Sequence, residues 1–258
     1  MTDIRVGIGG WNFVPWRGTF YPASLAATKE LAFASRAVTS IEINSTFYGS
    51  QKPESFRKWR DQSPDGFMFS VKGPRFTTNR RDLSGAGESI ERFLASGVLE
   101  LGDKLGPILW QFPPTRRFEP DTMRPFLAAL PPALRHVIEA RHPSFADPAW
   151  VDLLREFSVA HAIVESDKHA MFADLTASFV YARLELNALD APEGYDSTSL
   201  DRWVARTRAW SHGKTVDDLP HLAAPATAID RPCFIYFISG DKVRAPDSAR
   251  AMLSRLTA

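Results

Sequence analysis

The chain is 258 residues long, 44% hydrophobic and 24% charged, the composition of a globular protein able to bury one large core. That apolar content excludes a mainly disordered chain. No run of about 18 apolar residues is available to span a membrane. A net charge of +1, from 31 basic and 30 acidic residues, supplies no global pull towards nucleic acid or an anionic membrane.

The opening MTDIRVGIGGW has no basic stretch followed by a long apolar one, so no signal peptide is expected. Cys233 is the single cysteine and cannot form an internal disulfide, which makes the cytoplasm the default compartment.

Short runs rich in β-branched and aromatic residues recur along the chain: IRVGI (4–8), TSIEIN (39–44), FMFSVK (67–72), PILWQF (107–112), RHVIEA (135–140), VAHAIV (159–164), FVYARL (179–184) and CFIYFI (233–238). Their lengths fit buried strands. Helical spacing appears between most of them. Ile90, Phe93, Leu94, Val98 and Leu101 form one stripe. Asp147-Pro148 reads as an N-cap with proline at the first helical position, followed by Trp150, Leu153, Leu154 and Phe157. Leu200, Trp203, Val204, Thr207 and Trp210 form another stripe, and Ala249, Met252, Leu253 and Leu256 a last one.

Eight strands alternating with helices predict an α/β protein, a parallel TIM-type (β/α)8 barrel occupying residues 1–258 as one domain. A doubly wound open sheet is the alternative. Irregularity is expected around strands six to eight, because 165–178 is short for a crossover helix and 185–232 is long.

Side chains alternate in and out along a strand. Glu42 and Asn44 therefore share a face opposite Ile41 and Ile43, and Ser70 and Lys72 share one opposite Phe69 and Val71. Gln111 alternates with Trp110 and Phe112. Glu139 and Arg141 oppose Ile138 and Ala140, while Tyr181 and Arg183 oppose Val180, Ala182 and Leu184. The outer face must pack on helices, so the polar set should point into the barrel, near the strand C-terminal ends where barrel enzymes place their sites. Charges there are costly alone, so Glu42, Lys72, Glu139, Arg141 and Arg183 should be paired or bind a ligand. A salt-bridged barrel plug without chemistry is the plain alternative.

GIGG after the first strand lacks the spacing and acidic partner of a dinucleotide fingerprint. Trp11 and Trp16 either stack on a ligand or pack beneath a loop. Lys72 precedes GPRFTTNRR, which brings Arg75, Arg80 and Arg81 towards the same rim; Lys72 is also a candidate for Schiff-base chemistry. Carboxylates and imidazoles at Glu139 and His142, beside Arg141, and at Glu165, Asp167 and His169 after strand six are of the types that bind a divalent metal, but no HExxH or paired-cysteine spacing supports a metal, and no cofactor motif is present.

Several segments together resemble the YecE-like family, domain of unknown function 72: GIGGWNFVPWRGTFYP, SIEINSTFYGSQKPESFRKWRDQSPDGFMFSVKGPRFTTNRR, KLGPILWQFPP and EARHPSF, with weaker matches at YARLE and IYFISGDKVRAPDSARAML. The resemblance implies a TIM-barrel-like fold and no particular reaction. Against the family pattern this chain is divergent. It has EARHPSF where EFRHxSW is usual and Leu184-Glu185 where the seventh strand usually runs into YVRLHG. Ile238-Ser239 stand where a pair of asparagines is usual.

Two functional classes fit these residues. In the first, an enzyme acts on a small anion, with Glu42, Glu139 and Lys72 catalytic and Trp11, Asn44, Tyr48, Arg75, Gln111, Arg141, His142, Asp167, Tyr181 and Arg183 binding the ligand. In the second, a non-catalytic module binds single-stranded nucleic acid, or another anionic partner, through Trp11, Trp16 and the Arg80 loop. No membrane partner is expected, and the oligomeric state stays open.

Overall fold

The computed structural model describes residues 3–257; the expected domain span of 1–258 also takes in Met1, Thr2 and Ala258, which lie outside the described residues. Eight parallel strands close into a barrel in chain order: β1 (Ile4–Gly9), β2 (Ser40–Ile43), β3 (Met68–Lys72), β4 (Leu105–Gln111), β5 (His136–Glu139), β6 (Ala160–Glu165), β7 (Val180–Leu184) and β8 (Cys233–Phe237). β8 closes the ring on β1, from Ile4 beside Cys233 to Ile8 beside Phe237. This is the TIM-type barrel, not the open sheet.

Around it run α1 (Glu30–Ala37), α2 (Ser45–Tyr48), α3 (Pro53–Gln62), α4 (Arg75–Thr78), α5 (Ala86–Ala95), α6 (Pro120–Ala128), α7 (Pro148–Glu156), α8 (Ser197–Ser211) and α9 (Ala245–Thr257). The α7 start is built as its sequence dictates: Asp147 Oδ1 accepts from Ala149 N–H at 2.8 Å, Pro148 opens the helix, and Trp150, Leu153 and Leu154 are buried. The outward strand residues Ile41, Ile43, Phe69, Val71, Trp110 and Ile138 join the helices in one core. The inward residues Leu109, Val137, Ala162, Tyr181, Phe234 and Tyr236 form a second core inside the barrel. Each buried Val, Leu, Ile or Phe side chain of these cores stabilises the fold by about 1.5–3 kcal/mol.

Two sequence expectations shift. The 90–101 stripe is not one helix: Gly97, at φ 111°, separates α5 from a tighter 3-10 segment over Val98–Lys104. Strand β2 ends at Ile43, so Asn44 stands at the N-terminus of α2, and β5 ends at Glu139, so Arg141 lies just beyond the strand. The irregularity expected around strands six to eight is present: between β6 and β7 there is no helix among the described residues, and the chain between α8 and β8 is irregular. These two stretches brace each other. Asp174 accepts from the N–H groups of Leu222 and Ala223 at 2.8 and 2.9 Å, and Ala173 N–H donates to the Pro220 carbonyl.

Candidate functional site

Arg183 stands at the centre of the barrel's C-terminal end, buried among three carboxylates. Its Nε donates to Glu42 Oε2 at 3.1 Å and its Nη2 to Glu42 Oε1 at 3.2 Å; Nη1 donates to Glu139 Oε2 and, at 3.0 Å, to Glu185 Oε1. Glu42 and Glu139 are both 0% exposed. Tyr181, one inward step earlier on β7, donates its hydroxyl to Glu42 Oε2 at 2.6 Å. Arg141 Nε donates to the second Glu139 oxygen at 2.6 Å. Burial alone would raise the Glu139 carboxyl, but Arg183, Arg141 and Lys72 hold it at about 2. Charge-assisted bonds of this kind compensate the desolvation each ion suffers.

Lys72 is the last residue of β3 and only 7% exposed. Its ammonium lies 4.3 Å from the centroid of the Phe47 ring, and it has no hydrogen-bond acceptor among the described residues. Burial, then the charges of Arg183 and Arg141, push it down to about 8, against the opposing pull of Glu139 and Glu42. Its backbone is fixed on both sides. Thr46 Oγ1 donates to the Lys72 carbonyl at 2.6 Å, and Gly73 N–H donates to the Leu109 carbonyl at 2.8 Å. Gly73 passes so close to the Trp110 ring that a β-carbon there would sit 2.4 Å from two ring atoms.

These residues open onto a cavity of about 620 Å³ at the barrel mouth, lined among others by Asn44, Tyr48, Lys72, Gln111, Arg141 and Arg183. Of the thirteen residues proposed for the site, these six line the cavity. Glu42 and Glu139 lie beneath it and hold Arg183, and Tyr181 beside them holds Glu42. Four stand elsewhere. Trp11 packs edge-on against Trp59 and Phe69. Arg75 is exposed, its guanidinium 5.9 Å from the Tyr48 ring centroid. His142 turns back to accept from Ser144 N–H at 3.1 Å, and Asp167 is exposed on the loop after β6.

Trp16 is 0% exposed and packs against Phe13, Phe20 and Tyr21, so it cannot stack on a base. Arg80 and Arg81 face a different hollow, shared with Arg116 and Arg117. The Gly10 N–H donates to the Glu42 carbonyl at 2.9 Å and is not free for a ligand. Glu165 accepts from Tyr195 and Trp203 instead of facing Glu139. No group of three or more His, Cys, Asp or Glu among the described residues is placed to hold a metal ion, and no described helix is long and apolar enough to cross a membrane.

Three contributors escape strand periodicity: Phe47, Glu185 and Lys242. Lys242 follows β8; it lines the cavity and rests against Phe13 and Trp16, 4.8 and 5.5 Å from their ring centroids. The only signal for it was the SGDKVRAP stretch of the family resemblance. The divergent positions Glu185, Ile238 and Ser239 all line the cavity, so the chain departs from the pattern at the mouth itself.

An eight-stranded parallel barrel with a buried ion cluster beneath an open C-terminal mouth is a TIM-type architecture. The chain belongs to the family described as protein of unknown function DUF72, whose model matches residues 5–258. The UPF0759 protein YecE of Escherichia coli strain K12 is 29% identical over 145 residues, 55% of this chain and 50% of that protein. The UPF0759 protein YunF of Bacillus subtilis is 28% identical over 116 residues, 43% of this chain and 40% of that one. The matched stretch thus spans about half the length of the E. coli relative. A crystal structure of a DUF72 family protein from Thermotoga maritima superposes with a TM-score of 0.78 at 19% identity, covering 99% of this chain and 100% of that one. One from Enterococcus faecalis gives 0.71 at 16%, covering 100% and 99%. Both likenesses show the shared barrel.

Proposed function

We propose that this protein is an enzyme that binds a small carboxylate- or phosphate-bearing molecule at the C-terminal barrel mouth and reacts it by acid/base chemistry. The observation that carries this reading is the set of unspent donors around one cavity. Lys72 and Lys242 have ammonium groups with no acceptor among the described residues, and Arg141 uses only its Nε, on Glu139. Arg183 is consumed by its three carboxylates and acts as the fixed floor. A site walled by low-dielectric side chains focuses the field of such cations on whatever enters, and a guanidinium with both terminal nitrogens free suits a planar anion. Gln111 adds a buried Oε1 without a partner among the described residues, a further polar group for a ligand to meet.

The roles divide accordingly. Glu42 and Glu139 supply buried counter-charge and orient Arg183 and Arg141, while Lys72 is the group that moves a proton, its ordinary basicity reduced to about 8. The test is thermal denaturation of wild type and Arg141→Ala against a panel of phosphate-bearing, carboxylate-bearing and neutral metabolites. Specific binding raises the wild-type melting temperature by mass action, roughly 2–4 °C per kcal/mol of linkage for a domain of this size. Anion-selective shifts in the wild type that shrink in Arg141→Ala are expected; equal shifts in both proteins, or shifts with neutral compounds alone, refute the reading.

A further inference from the structure

We propose that Lys72 is a nucleophile that forms a Schiff base with the carbonyl of a small anionic aldehyde or ketone, a 2-oxo acid or a phosphorylated carbonyl compound. The inference rests on the anion-binding reading and names its substrate class and covalent step.

The geometry separates Lys72 from an ordinary buried lysine. A buried ammonium is normally paired, because an unpaired one loses its hydration without return. Here three carboxylates lie in the same cluster, and each is committed elsewhere. Glu42 takes Arg183 and Tyr181, Glu139 takes Arg183 and Arg141, and Glu185 takes Arg183. Lys72 is left against the face of Phe47 and opening onto the cavity. Two fixed guanidiniums near by and a mostly desolvated nitrogen both favour the neutral amine, and the nitrogen is pushed down to about 8. A lone pair is therefore available near neutral pH, the condition that amine nucleophiles need. The backbone on either side is pinned, by Thr46 to the carbonyl of Lys72 and by the Gly73–Leu109 bond. The side chain is thus delivered to one place.

The step balances without any further reagent. The Lys72 Nζ lone pair attacks the carbonyl carbon, and the C=O π pair moves to oxygen. The two protons of the amine pass to that oxygen, which leaves as water as the C=N bond forms. Protonation of the imine from solvent gives the iminium, an electron sink for the bonds next to it. Arg141 and Lys242 hold the carboxylate or phosphate, which places the carbonyl over Lys72 and accounts for an anionic rather than a neutral carbonyl.

The experiment is reductive trapping of the purified full chain. The protein is incubated at pH 7.5 with sodium cyanoborohydride and, separately, with pyruvate, glyoxylate, dihydroxyacetone phosphate or neutral dihydroxyacetone, and adducts are mapped by peptide mass spectrometry. The chain has eight lysines. At equal pH a lysine at about 8 has a free-amine fraction on the order of a hundredfold above an exposed one. The expected result is one reduced adduct per chain, on the Lys72 peptide, formed about tenfold or more faster than on any other lysine. It should appear with an anionic carbonyl compound and be absent in Lys72→Arg, which keeps the charge. Labelling spread over exposed lysines with Lys72 unmodified overturns the proposal. Thermal shifts with oxalate and inorganic phosphate separate the two readings. If these shifts persist and depend on Arg141 while no Lys72 adduct forms, the Schiff base falls and anion binding stands. If neither shift nor adduct appears, both fall. A Lys72 adduct formed equally well with neutral dihydroxyacetone keeps the Schiff base and removes the anionic class.

Discussion

Arg183 and Glu42 reach each other across the barrel interior from β7 and β2 and are joined by two hydrogen bonds, at 3.1 and 3.2 Å, with both side chains almost wholly withdrawn from solvent. The pair ties β2 to β7, which are not neighbours in the barrel, and forms the floor of the mouth. Breaking such a pair by removing one partner leaves an uncompensated buried charge, at a cost of about 3–5 kcal/mol. Arg183→Met is therefore expected to lower stability by about that amount in urea denaturation. Glu42→Gln/Arg183→Met should recover part of it. A near-neutral Arg183→Met would show that the cluster is solvated and the floor is not rigid.

Acid sensitivity should arrive in two stages. His136 and His161 are held at about 4 and about 3, chiefly by burial. His136 Nδ1 accepts from Trp110 Nε1 at 3.1 Å while Nε2 lies 3.0 Å from the Pro131 carbonyl, an arrangement only the neutral ring satisfies. A histidine with a folded value below the usual 6.5 takes its proton first in the unfolded chain, so stability is complete above about 6.5 and falls below it. Glu139, held at about 2 against an ordinary 4.5, adds stability that is present above 4.5 and lost as the pH falls towards 2, up to about 3 kcal/mol. Unfolding free energies measured from pH 7 to 2.5 should decline from about 6.5 and steepen below 4.5. In Glu139→Gln the lower step should shrink, whereas an unchanged profile would count against the ion cluster.

Gly73 is the contact that brings β3 against Trp110. In Gly73→Ala the new methyl group meets a fully buried ring packed on Phe93 and Phe126, and overpacking of this kind costs about 1–3 kcal/mol. Because the shift falls on the residue after Lys72, the anion-dependent thermal shift should drop more than in a control of equal instability such as Leu153→Ala. Equal losses in the two variants would mean that the position of Lys72 does not matter.

The barrel was legible because all eight strands are short apolar runs, and the inward polar residues because alternation admits two faces and only one can pack on helices. Glu42, Lys72, Gln111, Glu139 and Arg183 all follow from that rule. The residues it missed lie beyond the strands, where placement depends on tertiary contacts. Lys242 reaches the mouth because its loop folds over Phe13 and Trp16, and Glu185 because β7 ends one residue before it. The same limit explains the displaced expectations. A tryptophan in a loop reads alike whether it stacks on a ligand or packs inside, and Trp16 packs inside. Arg75, Arg80 and Arg81 are consecutive rim candidates in sequence, but α4 and the turn after it carry the latter two to a separate hollow.

Lys72 should be dispensable for the fold. It has no acceptor among the described residues to lose, so Lys72→Met replaces a desolvated ammonium by an apolar chain of similar length and is expected to match or exceed wild-type stability, by up to about 2 kcal/mol. Guanidinium denaturation checks this. A clear loss of stability would assign Lys72 to the structural cluster rather than to the ligand.

The most direct measurement of the central claim is untargeted mass spectrometry of a small-molecule cell extract incubated with the purified protein. Wild type should consume at least one carboxylate- or phosphate-bearing compound, with a matching product, and Lys72→Met and Arg141→Ala should leave that compound untouched. If no compound is consumed, or if wild type and Lys72→Met consume the same ones at the same rate, the barrel mouth is not the active site proposed for it.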